Sequence, residues 1–154
     1  MNDTALVTGS STGIGLEISL ALARNGIYTF ATMRNLQKKG FIEGITNKES
    51  LPLRVLEMDV NDGESVRRTI KDIVRKNKKI DILVNNAGYG LFGALEDISL
   101  NEIKEQFETN YFGAVRAIKG SPTDYEETAK WYNYKHYFHC RSSRYSRRMC
   151  ILKL

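Results

Sequence analysis

The stretch Thr8-Gly9-Ser10-Ser11-Thr12-Gly13-Ile14-Gly15 constrains this chain more than any other. An apolar run, Ala5-Leu6-Val7, leads into it, and an amphipathic run with Ile14, Ile18, Leu20 and Leu22 leads out. Strand, glycine turn and helix start, in that order, make a phosphate cradle. Glycine lets the backbone turn sharply and approach a pyrophosphate, while the first turn of the helix aims free N–H groups at it. A βα turn needs glycine in any case, so the remainder of the chain has to support the reading.

Apolar and polar residues alternate in blocks through the first 119 residues. A helix is expected from Gly13 to about Asn25, stopped by Gly26 in the position of a C-terminal glycine cap. Ile27–Met33, rich in β-branched and aromatic residues, reads as a second strand, and Leu53–Met58 as a third, ending at Asp59-Val60. Asn61 and Glu64 have capping-box spacing ahead of a helix that carries Val66, Ile70, Ile73 and Val74 to about Lys78. Ile80–Val84 is a fourth strand, broken by Asn85-Asn86-Ala87-Gly88. Ser99 and Glu102 form another capping box, opening a helix with Ile103, Phe107, Tyr111, Ala114 and Ile118 on one side. Strands alternating with helices argue for an α/β, Rossmann-like, doubly wound parallel sheet, truncated after four strands in the order 3-2-1-4. The fourth strand would then be an exposed edge, open to aggregation and giving poor solubility and low stability.

These segments carry a family resemblance. Residues 1–119 resemble the N-terminal part of the short-chain dehydrogenase/reductase family of nicotinamide-dinucleotide oxidoreductases. Thr8-Gly9, Gly13-Ile14 and Gly15 match its cofactor turn, and Asp59-Val60 its adenine-binding strand end. Asn85-Asn86-Ala87-Gly88 matches the signature after the fourth strand, and Asn110, within Thr109-Asn110-Tyr111-Phe112-Gly113, matches the active-site asparagine. The resemblance implies that Gly9, Ser11, Thr12, Gly13, Ile14 and Gly15 hold the pyrophosphate. It further implies that Asp59 accepts a hydrogen bond from the adenine amino group, and that Val60 covers the ring. Asn86, Ala87 and Gly88 would pass close to a ribose. The Asn110 backbone would hold a water in the proton relay. A mid-helix asparagine is a poor helix former and needs such a reason. The helix Leu100–Ile118 corresponds to a dimer helix in the family, but its usual partner helix is missing, which leaves a homo-oligomer possible and the oligomeric state open. Asn85–Gly93 with Ala94-Leu95-Glu96 is similar to members acting on hydroxysteroids, retinoids and other lipophilic alcohol/carbonyl pairs.

Cofactor choice turns on the end of the second strand. An acidic residue there binds the ribose 2′-hydroxyl of NAD and repels a 2′-phosphate. This chain has Thr32-Met33-Arg34-Asn35, followed by Lys38 and Lys39, and the guanidinium of Arg34 suits a phosphate. NADP is therefore expected over NAD.

Beyond Gly120 the composition changes. Residues 120–154 hold seven Lys or Arg against three Asp or Glu, and thus +4 of the +5 net charge. They also hold Trp131, both cysteines, both histidines and five of the eight tyrosines. The family reduces carbonyls with a Tyr that has Lys four residues later, assisted by a Ser. No Tyr in these 154 residues has that partner: Tyr125, Tyr132, Tyr134, Tyr137 and Tyr145 are followed at that spacing by Ala129, His136, Phe138, Arg141 and Met149. A chain of these residues is expected to be inactive, leaving a non-catalytic dinucleotide-binding or partner-binding fragment as the alternative function.

Codon arithmetic suggests why. Reading across the last two bases of each tail codon and the first of the next, Trp131 followed by Tyr132 must give glycine. Glu126 and Glu127 each give Arg or Lys, and Tyr132, Asn133 and Tyr134 each give Ile or Thr. From Gly120 to Arg141 the permitted string is similar to the family's fifth strand and catalytic-serine segment, and Cys150 with Ile151 permits Ala-Tyr. The tail from about Gly120 is thus expected to be a frameshifted reading of a reductase gene, aberrant and poorly ordered, with Trp131–Phe138 available to cover the sheet edge. Arg141, Arg144, Arg147 and Arg148 with Tyr137 and Tyr145 could bind nucleic acid, and His136, His139, Cys140 and Cys150 are of metal-ligand type. Neither group has a recognised spacing, so no nucleic acid and no metal is expected. No apolar run spans a bilayer, and Met1-Asn2-Asp3-Thr4 is unlike a signal peptide, so the expected location is the cytoplasm.

Overall fold

The computed structural model describes residues 3–121. Four parallel strands, β1 (Thr4–Val7), β2 (Tyr28–Met33), β3 (Leu53–Glu57) and β4 (Ile82–Val84), form one sheet in the order β3-β2-β1-β4. Leu6 pairs with Phe30 on one side and Leu83 on the other, and Phe30 pairs in turn with Arg54. All four strand bodies and their order agree with the sequence reading. The fourth is shorter than expected, because Asp81 turns from strand to clamp: its carboxylate accepts from the Thr4 N–H at 2.8 Å, and its own N–H donates to the Thr4 carbonyl at 2.8 Å.

Helices cover both faces. On one, α1 (Gly13–Arg24) and α2 (Gly40–Glu49) close a cluster of Leu16, Leu20, Ala31, Met33 and Ile42. On the other, α3 (Gly63–Asn77) and α5 (Gly113–Gly120) close a larger one built on Leu6, Phe30, Met58, Val60, Val66, Ile70, Ile73, Leu83 and Ala117. A sheet buried on both faces needs continuous apolar strands, which β1 supplies by burying all four of its residues. Gly26, at φ +79°, ends α1 in the left-handed conformation.

Three local readings need correction. Helix α3 is capped by Asp62, whose side chain accepts from the Glu64 N–H at 2.9 Å, and not by an Asn61–Glu64 box. Helix α2 and the short 3-10 turn Leu36–Lys38 stand where no element is expected. Ile42 is the only buried residue of α2, so its sequence carries little helical periodicity. The last helix is not continuous: α4 (Leu100–Phe107) passes through a π-helical turn (Glu108–Phe112) into α5. Its buried residues are Gln106, Asn110, Gly113 and Ala117, while Phe107 and Tyr111, on the expected apolar side, are exposed. The capping box at its start is present, Ser99 and Glu102 each accepting from the other's backbone N–H.

Both sheet edges, β3 and β4, lack a further strand among the described residues. No helix among them is long and apolar enough to cross a membrane. The tail residues read as nucleic-acid or metal candidates, the Trp131–Phe138 run and the frameshifted segment lie outside the described residues.

Candidate functional site

The carboxyl ends of β1, β2, β3 and β4 open onto one cavity of about 550 Å³. Its place follows from topology. From β1 the chain winds through α1 to β2 on one side, and β4 joins β1 on the other, so helices leave toward opposite faces and a crevice opens between them.

The glycine turn forms its floor. Gly9 and Gly13 have φ of +68° and +61°, a region L residues rarely adopt. A Cβ on Gly9 would stand 2.7 Å from the Ala87 Cα, and one on Gly15 would collide with the Asn86 amide and the Gly9 carbonyl. Two backbone segments therefore touch at this point, and only glycine permits it. Helix α1 begins here with no side-chain cap and no acidic residue in its first turn. Its free N–H groups and the positive end of its dipole are left for an anion. By contrast α3 and α4 are capped by Asp62 and Ser99 and carry Glu64 and Glu102 in their first turns.

A latch of hydrogen bonds joins the turn to the end of β4. The Thr8 hydroxyl accepts from the N–H of Asn86 at 3.0 Å and of Ala87 at 2.9 Å. The Asn86 amide donates in return to the carbonyls of Thr8 and Gly9 at 3.0 and 2.9 Å. Ser10, Ser19 and Thr32 complete the support: Ser19 donates to the Gly15 carbonyl at 2.7 Å, and Ser10 and Thr32 both donate to the Val7 carbonyl. In sequence Thr8 stands only as part of the matched turn, Ser10 and Thr32 only within quoted stretches, and Ser19 not at all; their supporting role emerges from the structure. Hydroxyl residues just after a strand, next to glycine, were the available signal.

All twelve residues expected at a dinucleotide line this cavity: Gly9, Ser11, Thr12, Gly13, Ile14, Gly15, Arg34, Asp59, Val60, Asn86, Ala87 and Gly88. Met33, Met58, Asn61, Tyr89 and Thr109 line it as well. Arg34 is exposed at the rim and has no hydrogen-bond or ionic partner among the described residues. Nearby Lys39 is engaged with Glu43 at 3.1 Å, and the Asn35 side chain accepts from the Gln37 N–H at 2.8 Å. Among the described residues Arg34 thus presents an unpaired guanidinium to the cavity it lines.

Asn110 lies behind the lining. Its side-chain oxygen accepts from the Tyr89 N–H at 3.0 Å and its nitrogen donates to the Tyr89 carbonyl at 2.9 Å. The side chain holds the loop after β4, and Asn110 sits within the π-helical turn, a distortion common at functional sites. The amide of its counterpart Asn85 is buried with neither polar atom bonded among the described residues. No cluster of metal-ligating side chains occurs among the described residues.

The family model for short chain dehydrogenases matches residues 3–126, ending inside the segment of altered composition. Retinol dehydrogenase 8 of Bos taurus is 43% identical over 120 residues, covering 75% of this chain and 38% of that protein. Estradiol 17-beta-dehydrogenase 1 of Rattus norvegicus is 36% identical over 120 residues, covering 74% and 34%. An alcohol dehydrogenase from the archaeon Thermococcus sibiricus, solved in complex with 5-hydroxy-NADP, superposes with a TM-score of 0.73 at 31% identity, covering 79% of this chain and 52% of that one. The chain spans less than half the length of the two curated relatives.

Proposed function

The chain belongs to the short-chain dehydrogenase family, and from that membership we propose that its cavity binds NADP in preference to NAD. The observation that carries the reading is the coincidence of all twelve residues around one cavity, whose glycine turn packs so closely on the Asn86–Ala87 segment that a Cβ at Gly9 or Gly15 would collide with it. The α1 N-terminus and glycine turn take the pyrophosphate. Asp59 and Val60 take the adenine, Asn86, Ala87 and Gly88 lie along the nicotinamide ribose, and Arg34 clamps the 2′-phosphate through its guanidinium. When bound, the dinucleotide supplies hydride transfer to or from an alcohol/carbonyl pair. The protein supplies position, and Asn110 belongs to the proton relay through its backbone.

A lipophilic substrate, retinoid or steroid in character, is favoured for the longer enzyme. The names of the two curated relatives support this, as does Tyr89, which lines the cavity, with the exposed Phe92 and Leu95 following it along the chain. The exposed Phe107, Tyr111 and Phe112 suit a second copy of the chain. A polypeptide of these 154 residues binds dinucleotide without turnover, because no tyrosine in it has the lysine that proton donation requires. Its domain is residues 1–119, and residues 120–154 are a frameshifted tail. The nucleotide sequence tests that point: early stop codons in the alternative frame would sink it.

Fluorescence titration of the full chain with NADPH and NADH tests the binding. NADPH should bind more tightly, and Arg34→Leu should lower its affinity about tenfold or more, the worth of a charge-assisted bond, with NADH little changed. Equal affinities in the parent chain would refute the preference. Turnover by the 154-residue chain would refute the inactivity.

A further inference from the structure

The loop Asp59-Val60-Asn61 is tied to the helix across the cavity mouth by contacts that sequence motifs do not show. The Asn61 amide donates to the Thr109 hydroxyl at 2.9 Å, and that hydroxyl donates onward to the Glu105 carbonyl at 3.3 Å. With its proton committed to Glu105, the Thr109 oxygen can only accept, which fixes the direction of the Asn61 bond. Arg116 donates to the Val60 carbonyl at 3.1 Å while paired with Glu108. Gly113 lets the helix approach so closely that a Cβ there would stand 2.8 Å from the Val60 side chain. Within the loop, the Asn61 N–H donates to Asp59 Oδ1 at 2.9 Å, and the Asp59 N–H donates to the Ser65 hydroxyl at 3.1 Å. One carboxylate oxygen is therefore engaged, and the other faces no partner among the described residues. Asp59, Asn61 and Thr109 all line the cavity.

We infer that Thr109, through Asn61, is a positioning residue that fixes the Asp59 carboxylate as an acceptor selective for the adenine base. This rests on the dinucleotide reading above and adds base specificity to it. An ionised carboxylate accepts hydrogen bonds and donates none. The exocyclic amine of adenine donates to it, whereas the carbonyl of hypoxanthine at the same position presents a second acceptor. A site built to pair with a donor rejects the analogue lacking it far more strongly than an apolar pocket rejects a change of size. That rejection holds only while the carboxylate cannot swing away, and the Thr109–Asn61–Asp59 chain is what prevents it.

The test compares NADPH with reduced nicotinamide hypoxanthine dinucleotide phosphate, by fluorescence titration of the full 154-residue chain. The parent should favour NADPH about tenfold, the worth of one hydrogen bond to a charged group. Thr109→Val, which keeps the shape and removes the hydroxyl, should bring that ratio toward unity, and Thr109→Ser should restore it. Loss of structure alone would weaken both ligands in parallel and leave the ratio unchanged, so a parallel loss overturns the inference. Asn61 is exposed, so Asn61→Ala gives the same readout should Thr109→Val fail to fold. A parent that binds neither dinucleotide overturns the dinucleotide reading and this inference together. A parent that discriminates, with Thr109→Val and Asn61→Ala discriminating equally well, overturns the inference alone.

Discussion

Asn85 and Asn86 are neighbours of identical chemistry in opposite circumstances. The Asn86 amide reaches back across the sheet to β1, where it donates to two carbonyls of the glycine turn. The Asn85 amide is buried without a bond among the described residues, at the end of the strand that forms the sheet edge. The contrast extends to the regions on either side. Inward of β4, two apolar clusters fill both faces of the sheet, and the polar Thr8, Ser10, Ser19 and Thr32 among them are bonded. Outward lie a loop and a helix whose buried positions include Gln106 and Asn110, while Phe92, Leu100, Phe107, Tyr111 and Phe112 are exposed. The inner region is complete within the described residues. The outer one leaves these apolar groups in contact with water among the described residues.

Paired core and surface substitutions test that contrast most strongly. Leu20, 2% exposed on the inner side, should lose about 2–5 kcal/mol on replacement by Ala, from lost transfer free energy and the cavity left behind. Phe107→Ala, at 40% exposure on the outer side, should stay within about 0.5 kcal/mol. Urea midpoints of the two variants decide it, and a large loss at Phe107 would mean that its ring is covered in solution.

The asparagine pair sharpens the comparison at one step along the chain. Asn86→Ala removes the donor from the Thr8 and Gly9 carbonyls and should lose about 1–3 kcal/mol, together with dinucleotide affinity. Asn85→Ala removes a buried amide that has no bond among the described residues, so its stability should be unchanged or slightly higher. Chemical denaturation reads both, and equal losses would show that Asn85 is bonded in solution.

The same inner and outer division governs how much of the molecule could be read from sequence. The strands, their order and the cradle were legible, because β1 is apolar from Ala5 to Val7 and Gly9, Gly13 and Gly15 stand together just after it, where a tight turn and a close backbone approach both call for glycine. Helix α2 was not, since Gly40, Gly44 and Asn47 weaken its propensity and Ile42 alone is buried. The cap of α3 was misplaced by one residue because Asn61 and Asp62 are both good N-caps, and tertiary contact with Thr109 assigns Asn61 elsewhere. The last helix misled most. Its apolar residues share one side, yet Gln106 and Asn110 are the ones that turn inward to pair with the Tyr89 backbone, and Phe107 and Tyr111 are exposed. Periodicity reports where apolar residues lie, not which side the neighbours require.

Asn110 is therefore where inner logic enters the outer region. Asn110→Leu should leave the N–H of Tyr89 without its side-chain partner and its carbonyl with the Gln106 amide alone, a loss of about 1–3 kcal/mol. Hydrogen exchange at Tyr89 should accelerate more than at β1. Uniform acceleration across the sheet would show that the loop is held by something other than this amide.

The smallest effect belongs to the outer helix's own start. Ser99 and Glu102 cap α4 reciprocally, and the Ser99 hydroxyl, then its backbone N–H, hold the Glu102 carboxyl below the usual glutamate range. Because the folded value is depressed, this contribution is complete above the unfolded glutamate pKa and fades as pH falls through the folded one. Ser99→Ala should lose about 1 kcal/mol at neutral pH, as N-cap serines commonly do. The gap between parent and variant should narrow in acid, as protonation removes the Glu102 half of the box from the parent too. Urea midpoints of the two proteins from neutral to acid pH measure that convergence. A gap that stays constant would place the stabilisation in the serine cap alone, and α4 would then owe nothing to Glu102.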